Sequence, residues 1–150
     1  MTPHAHVTLE GTVAVPLPPH EAFELFTPSG ERRWAAGWDP SFPAAPADET
    51  RPGTAFQTGD ARLVTWVVVA CERPSSITYA NVSAGERAGL VRVVCAPAGR
   101  GATTATVTYE MTALSDEGDT ALHAFAAHYE HYMEHWQDAI ASAVAAPATR

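Results

Sequence analysis

The chain has 150 residues, 46% of them hydrophobic, and carries 9 basic against 17 acidic side chains, a formal net charge of −8. A chain of this length forms one ordinary domain that can enclose a core and, where the fold allows, a cavity. All nine basic residues are arginines. An acidic chain without lysine lacks the basic surface that a nucleic-acid backbone requires, and it has no amine for a Schiff base or a P-loop. We therefore expect no nucleic acid as a partner.

Cysteine usage and hydropathy favour a soluble protein of the cytoplasm. Cys71 and Cys95 each end an apolar run, and they are too few and too far apart for a disulfide framework or a zinc knuckle. We expect two reduced thiols that act as small hydrophobic residues. The sequence shows no signal peptide and no apolar stretch near the ~20 residues that a membrane span needs.

The N-terminal third begins as a strand and continues as two short helices. Residues 6–15 alternate between apolar and polar side chains, which is typical of a half-buried strand. Three prolines end this strand, and a helix over about 19–26 can accept proline in its first turn. A second short helix is expected to end near Gly37, and residues 38–52 then predict an irregular, ordered loop.

Five further strands, separated by turn-forming residues, predict an antiparallel meander. Their approximate ranges are 54–58, 62–72, 77–83, 89–96 and 102–114. The last strand alternates most clearly, with Ala105, Val107, Tyr109 and Met111 on the face that we expect to be buried. In the strand over 62–72, both sets of alternate positions are apolar, which predicts cover on both faces.

Residues 117 to about 145 predict one long amphipathic helix. A single stripe at helical spacing carries its large apolar side chains. The stripe consists of Leu122, Phe125, Tyr129, Tyr132, Met133, Trp136 and Ile140. Glu130, Glu134 and Asp138 lie on the opposite face. A curved sheet with one such helix laid across it is an α+β architecture.

This order of elements resembles the SRPBCC superfamily, which includes START lipid-transfer domains, pollen-allergen-like proteins and polyketide cyclases. The similarity extends from Val7 to about Val144, and local segments carry it as well: HEAFELFT, RRWAAGWDPSFPA, RPGTAF and VTWVVVACERPSSITY. It implies an α+β helix-grip fold, a curved antiparallel sheet wrapped around a long C-terminal helix, with two short helices after the first strand. We expect a single domain over residues 1–150, with an ordered core over about 6–145.

The resemblance also implies a deep, mostly apolar cavity between the sheet and the C-terminal helix. Its mouth is expected near the short helices and the loop after them, with Trp34, Trp38 and Phe42 as candidates. Wall candidates, chosen by strand parity or helix face, are Tyr79, Tyr109, Phe125, Tyr129 and Tyr132. Each ring could equally fill the core, whereas as a set these aromatic and phenol groups favour a lined cavity.

Histidines are concentrated in the last helix, where four of the seven occur. His128, His131 and His135 share one flank beside the aromatic stripe. The flank can be a half-solvated surface, His128 or His135 can reach into the cavity as a base or donor, or the three can chelate a transition metal. We take His128 as a candidate ligand contact and expect no metal and no cofactor.

Arginines in two places could bind an acidic ligand or simply lie on the solvent-exposed surface. Arg92 interrupts an apolar strand, but the alternate positions around it form the better inward set. We therefore expect Arg92 to point outward, with Glu110 on the neighbouring strand as a surface partner. Arg32 and Arg33 lie at the expected mouth, where they could attract an acidic ligand or simply form a solvated helix face.

These observations predict a protein that binds a hydrophobic small molecule, lipid-, aromatic- or polyketide-like, in the cavity. The alternative is an enzyme of the polyketide cyclase or dehydratase type, with His128 or His135 as acid/base and Tyr109 or Tyr132 steering an enolate. A cavity histidine or tyrosine with a perturbed pKa would favour the enzyme. A third alternative, a chaperone-regulating or protein-interaction module, would expose a large apolar patch.

Overall fold

A computed structural model describes residues 3–146. The described residues form one antiparallel six-stranded sheet with helices packed against it, which confirms the α+β helix-grip fold. The elements are β1 (His6–Val15), α1 (Pro19–Glu24), a 3-10 helix (Gly30–Arg33), β2 (Ala55–Thr58), β3 (Val64–Glu72), β4 (Ser76–Ser83), β5 (Arg87–Pro97), β6 (Thr103–Ala113), α2 (Asp116–Ala127) and α3 (Tyr129–Ala145). Residues 1–2 and 147–150, the ends of the expected domain, lie outside this range.

The sheet has the strand order β1-β6-β5-β4-β3-β2, so the chain meanders from β2 to β6 and then pairs β6 with β1. Its register aligns one row of inward side chains across five strands. This row consists of Leu9, Tyr109, Val91, Tyr79 and Val68. The alternation predicted for the first and last strands is confirmed, because the apolar positions of both strands are the buried ones.

The C-terminal helix packs closely on the first strand, and a glycine allows the approach. A Cβ atom on Gly11 would lie 2.8 Å from Cγ of Met133 and 3.2 Å from a ring carbon of Tyr129. Met133, Trp136 and Ile140 are buried along the same face of α3. The stripe predicted from helical spacing therefore forms the packed faces of α2 and α3, with Tyr132 its most exposed member.

The single long helix that the sequence predicts is instead divided at His128. That residue leaves helical geometry, with φ −111° and ψ 13°, and it separates α2 from α3. Its Nδ1 lies 2.9 Å from the carbonyl oxygen of Ala124, one turn earlier. A carbonyl can only accept, so the ring donates this bond and competes with the regular backbone ladder. The helical spacing of the apolar residues continues across His128, so the stripe alone could not predict the break.

The strand β3 is not covered on both faces, contrary to the prediction. Val68 is fully buried, but Val69 is 45% exposed. The register with β4 shifts between Val68 and Ala70, which marks a bulge. A bulge interrupts the two-residue period. Val69 is the residue without a partner in β4 at this bulge, and its side chain remains accessible to solvent.

Two smaller expectations are confirmed. Arg92 is exposed on the outer face of the sheet, as predicted, where Thr108 of β6 is its direct neighbour. Glu110 stands opposite Leu90 instead, and its carboxylate lies 3.3 Å from Nε2 of His6. Cys71 and Cys95 are both free thiols. None of the helices within residues 3–146 is both long and apolar enough to cross a bilayer.

Candidate functional site

A cavity of about 300 Å³ lies among the concave face of the sheet, the helix α3 and the segment that contains the 3-10 helix. Its lining residues are Phe26, Glu31, Trp34, Ala35, Ala36, Trp38, Arg62, Val64, Trp66, Tyr79, Asn81, Ser83, Glu86, Arg87, Val91, Val93, Tyr109, Tyr132 and Trp136. Aromatic rings and valines dominate this list, and the few polar groups occupy particular places. That combination is typical of small-molecule pockets.

Five of the nine residues predicted to contact a ligand line this cavity. They are Trp34, Trp38, Tyr79, Tyr109 and Tyr132. The 3-10 helix and the loop after it bring the two indoles to the cavity, β4 and β6 bring Tyr79 and Tyr109, and α3 brings Tyr132.

The other four predicted residues lie outside the lining. Phe42 packs against Phe56, with ring centroids 5.6 Å apart, and Phe125 packs behind Tyr109 at 5.1 Å. Tyr129 is buried and donates its hydroxyl proton to the Val107 carbonyl at 2.8 Å. His128 is exposed at the break between the helices. Phe125 thus supports the lining ring of Tyr109 from behind, whereas Phe42 contacts a ring outside the lining and His128 stands apart from the cavity.

Hydrogen bonds to the protein hold three of the four indoles of the wall, those of Trp34, Trp38 and Trp66. Trp34 donates from Nε1 to the Leu25 carbonyl at 2.7 Å, and Trp38 donates to the Pro28 carbonyl at 2.7 Å. Trp66 donates to Oγ1 of Thr58 at 3.0 Å. A buried indole N–H needs an acceptor, and here each one finds it within the chain. These three side chains therefore offer a ligand their rings and not a donor.

Two buried phenols, Tyr79 and Tyr109, lie in the same inward row of the sheet on either side of Val91. Tyr79 donates its hydroxyl proton to the Phe26 carbonyl at 2.6 Å, which ties β4 to the end of the α1 segment. Burial raises the pKa of Tyr79 well above its usual value, and the charges of Glu31 and Glu49 raise it further. Burial likewise raises the pKa of Tyr109, with contributions from Tyr132 and Glu31. Both phenols therefore remain neutral donors at physiological pH.

Glu31 is the functional candidate that sequence reasoning missed. It lines the cavity beside Trp34, and burial raises the pKa of its carboxyl well above the usual range. Within the described part of the chain, no hydrogen bond or ion pair engages this carboxyl. A usable signal was present, since residues three apart share one face of a 3-10 helix. Because the sequence predicted Trp34 at the mouth of the cavity, the same spacing would have predicted Glu31 there.

A group of polar residues lies at one end of the cavity, next to β3 and the β4–β5 hairpin. Arg62 and Glu86 form an ion pair there. The guanidinium of Arg87 lies over the ring of Phe125, 4.9 Å from the centroid. Ser83 is buried, and its hydroxyl oxygen has no hydrogen-bond partner among the described residues. This end offers hydrogen-bonding capacity to a ligand, in contrast to the aromatic wall.

The histidine flank does not contribute to the cavity. His128, His131 and His135 are all exposed, and none of them is a lining residue. Across residues 3–146, the group of three side chains close enough to share a metal ion lies elsewhere, at His4, Asp116 and Asp119. His4 and Asp119 are already joined there by a 2.7 Å contact. The geometry thus favours the surface interpretation of the flank.

A curved sheet that grips a helix around an aromatic cavity defines a protein of the helix-grip class. Residues 6–139 match the family model described as polyketide cyclase / dehydrase and lipid transport. The chain therefore belongs to this family, which is one of the SRPBCC type that the sequence resemblance indicated. No curated protein matches the sequence.

Solved structures show the same fold at low sequence identity. An uncharacterised protein from Rhizobium leguminosarum is 14% identical, with a TM-score of 0.66 over 92% of this chain and 96% of that one. Norcoclaurine synthase from Thalictrum flavum is 8% identical, with a TM-score of 0.67 over 99% of both chains. A protein of the dynemicin biosynthetic locus is 18% identical, with a TM-score of 0.62 over 91% of this chain and 46% of that one.

Proposed function

We propose that this protein binds a hydrophobic small molecule with at least one aromatic ring in the cavity. The observation that carries this proposal is the cavity of about 300 Å³ lined by indole and phenol rings. An apolar cavity of roughly 150 Å³ can hold benzene, so this one has room for two or three fused rings. The proposed contacts are Trp34, Trp38, Tyr79, Tyr109 and Tyr132, with Phe42, Phe125 and Tyr129 as supporting residues.

Membership in the family is compatible with this proposal, since its description includes both lipid transport and cyclase activity. The indole bonds to backbone and threonine support it as well, because rings held by the protein form a wall that need not rearrange on binding. The exclusion of nucleic acid, the cytoplasmic location and the protein-interaction alternative remain predictions from the sequence.

The first experiment is native mass spectrometry of the purified protein, followed by calorimetric titration with 2-naphthol. We expect either a co-purifying mass of a few hundred daltons or saturable one-to-one binding of the probe. Val91→Trp should abolish binding, because Val91 lines the cavity and a larger ring would fill it.

Leu90→Trp is the matched control, since Leu90 is the adjacent residue and is 40% exposed on the other face of the strand. This variant should bind as the wild type does. Overpacking at Val91 costs about 1–3 kcal/mol, so a thermal melt must first show that both variants are folded. Unchanged binding by folded Val91→Trp would place the ligand elsewhere and refute the proposal.

A second candidate function is an enzyme of the cyclase or dehydratase type, and one observation favours it. Glu31 supplies a carboxyl that lines the cavity with the phenols of Tyr79 and Tyr109, and burial raises its pKa, which favours the uncharged form. A neutral carboxyl can donate a proton to a carbonyl oxygen and later accept one from the adjacent carbon. In this version Glu31 takes the acid/base role that the sequence alone suggested for His128 or His135.

Proton exchange tests the catalytic candidate directly. Incubation of 2-acetylnaphthalene with the protein in D2O should accelerate deuterium uptake at the methyl group, measured by mass spectrometry. Glu31→Gln should remove the acceleration, whereas Glu130→Gln, at an exposed position of α3, should keep it. Equal exchange rates with and without the protein would leave binding as the function.

A further inference from the structure

Two carboxyls line the cavity, and only one of them has an ion-pair partner among the described residues. Glu86 is ion-paired with Arg62. Glu31 has no such partner: within residues 3–146, burial is the one influence that shifts its pKa, and no guanidinium lowers it. Arg32, next to it in the 3-10 helix, is directed to Asp39 and the Pro40 carbonyl instead. The cavity therefore contains one carboxyl whose partner is not supplied by the protein.

The acidic groups near Glu31 make this part of the cavity unfavourable for an anionic ligand. Glu31 and Glu49 both act on Tyr79 in the same direction, each raising the pKa of its phenol. Glu49 is held at a distance from the cavity by the backbone N–H and the hydroxyl of Ser29. The chain as a whole carries a net charge of −8, which raises the local concentration of cations. The two lining arginines contact other groups, since Arg62 pairs with Glu86 and Arg87 lies over the ring of Phe125. A cation is thus the ligand group that complements the carboxyl of Glu31.

The aromatic wall favours the same type of group. Trp34 and Trp136 pack edge to face with centroids 4.9 Å apart, and Trp66 and Tyr79 pack edge to face at 6.0 Å. The N–H groups of Trp34 and Trp66 are already bonded to the protein, so their rings are what a ligand meets. An ammonium or amine cation is attracted to the face of such rings, and more strongly where water is excluded.

We propose, given the ligand-binding function above, that the ligand is an aromatic compound with a basic nitrogen, whose ammonium group pairs with Glu31 among the rings of Trp34 and Tyr79. The charges balance in a simple way. The ligand enters as R–NH3+, the carboxyl of Glu31 loses its proton to solvent, and the carboxylate and ammonium then pair. Binding therefore releases one proton for each ligand bound where Glu31 is neutral beforehand.

Matched probes separate charge recognition from plain apolar burial. We would titrate the protein with 2-(2-naphthyl)ethylamine and with 2-(2-naphthyl)ethanol, which have the same shape and differ in one terminal group. At pH 7 the amine should bind at least about tenfold more tightly, as one charge-assisted contact implies. Glu31→Gln should remove this preference and leave the affinity for the alcohol within about threefold of the wild type. Glu49→Gln is the control and should keep the preference.

The pH dependence gives an independent readout. The affinity for the amine should rise with pH above the ordinary range of a glutamate, because a higher pH favours loss of the proton from Glu31, whose pKa burial raises. The affinity for the alcohol should stay level. The other lining phenols with shifted pKa values, Tyr79 and Tyr109, have them raised, and no described lining residue is a histidine. The remaining charged lining groups are Glu86, which is ion-paired with Arg62, and Arg87, which lies over the ring of Phe125. Titrations in buffers of different ionisation enthalpy should show the released proton.

The outcomes distinguish this inference from the function on which it rests. Equal affinities for amine and alcohol, or a preference for the alcohol, would overturn the inference and leave the cavity-binding proposal intact. The same conclusion follows if 2-naphthol binds and neither naphthylethyl probe does. Failure of all three probes would overturn both proposals. A preference for the amine that survives Glu31→Gln would assign the effect to another group and would also overturn the inference.

Discussion

The hydrogen bond from Tyr79 to the Phe26 carbonyl is expected to be a main stabilising link between the sheet and the α1 segment. It is 2.6 Å long, lies in the interior, and joins residues 53 positions apart in the chain. Among the described backbone hydrogen bonds outside regular elements, none uses the Phe26 oxygen as acceptor. Tyr79→Phe would therefore remove the donor and leave a buried carbonyl unsatisfied.

A buried group left without its partner costs about 1–3 kcal/mol, more than the net value of an average hydrogen bond. The loss of the oxygen itself adds little, because phenylalanine keeps the ring that packs against Phe56 at 5.8 Å. We expect the free energy of unfolding to fall by about 1–3 kcal/mol. Urea denaturation followed by tryptophan fluorescence measures this change, and the midpoint should fall without a change in slope.

Tyr132→Phe is the matched control, because Tyr132 is 37% exposed and its ring also lines the cavity. Its stability should stay within about 0.5 kcal/mol of the wild type, as is usual for surface substitutions. A loss below about 0.5 kcal/mol for Tyr79→Phe would show that the Phe26 carbonyl reaches water or another donor. That result would refute the assignment of this bond as a structural link.

Three further predictions concern stability. Burial raises the pKa of Glu31 in the folded protein, so the contribution of Glu31 to the free energy of unfolding is greatest below about pH 4 and declines as pH rises toward the folded pKa. In urea titrations, Glu31→Gln should therefore stabilise the protein more at pH 7 than at pH 4. Ile140→Ala removes a fully buried side chain and should cost about 2–5 kcal/mol in the same assay, whereas Glu134→Ala should change little. Ser115→Ala removes the side-chain cap on the Gly118 N–H and should cost about 1 kcal/mol of thermal stability, which Ser115→Thr should largely retain.

The position of Glu31 differs from that of the histidines that the sequence suggested as acid/base candidates. Histidine is the usual choice near neutral pH, and four of them in the last helix drew attention to that helix. The three beside the stripe, at 128, 131 and 135, are exposed, whereas the single carboxyl of Glu31 is placed in the cavity by a short 3-10 helix. For choosing a candidate acid/base residue, residue type was therefore less informative than burial. Burial alters both the pKa of a group and its access to a ligand.

Local patterns were sufficient for most of the elements. The two-residue alternation in β1 and β6 and the helical stripe of α3 each follow from one buried face, and one buried face is a property of the sequence itself. The division at His128 could not be predicted in the same way. It depends on a ring nitrogen that bonds the Ala124 carbonyl, a local competition that leaves the apolar spacing unchanged.

The sequence by itself determined the order of elements, the fold and the pool of aromatic residues available for a cavity. Only the tertiary structure decided which rings line that cavity. Tyr109 and Tyr129 belong to the same buried set, yet Tyr109 lines the cavity and the Tyr129 hydroxyl is bonded to Val107. The reason is physical: spacing tells which side chains turn inward, whereas strand register and the close packing of α3 over Gly11 decide where space remains between them.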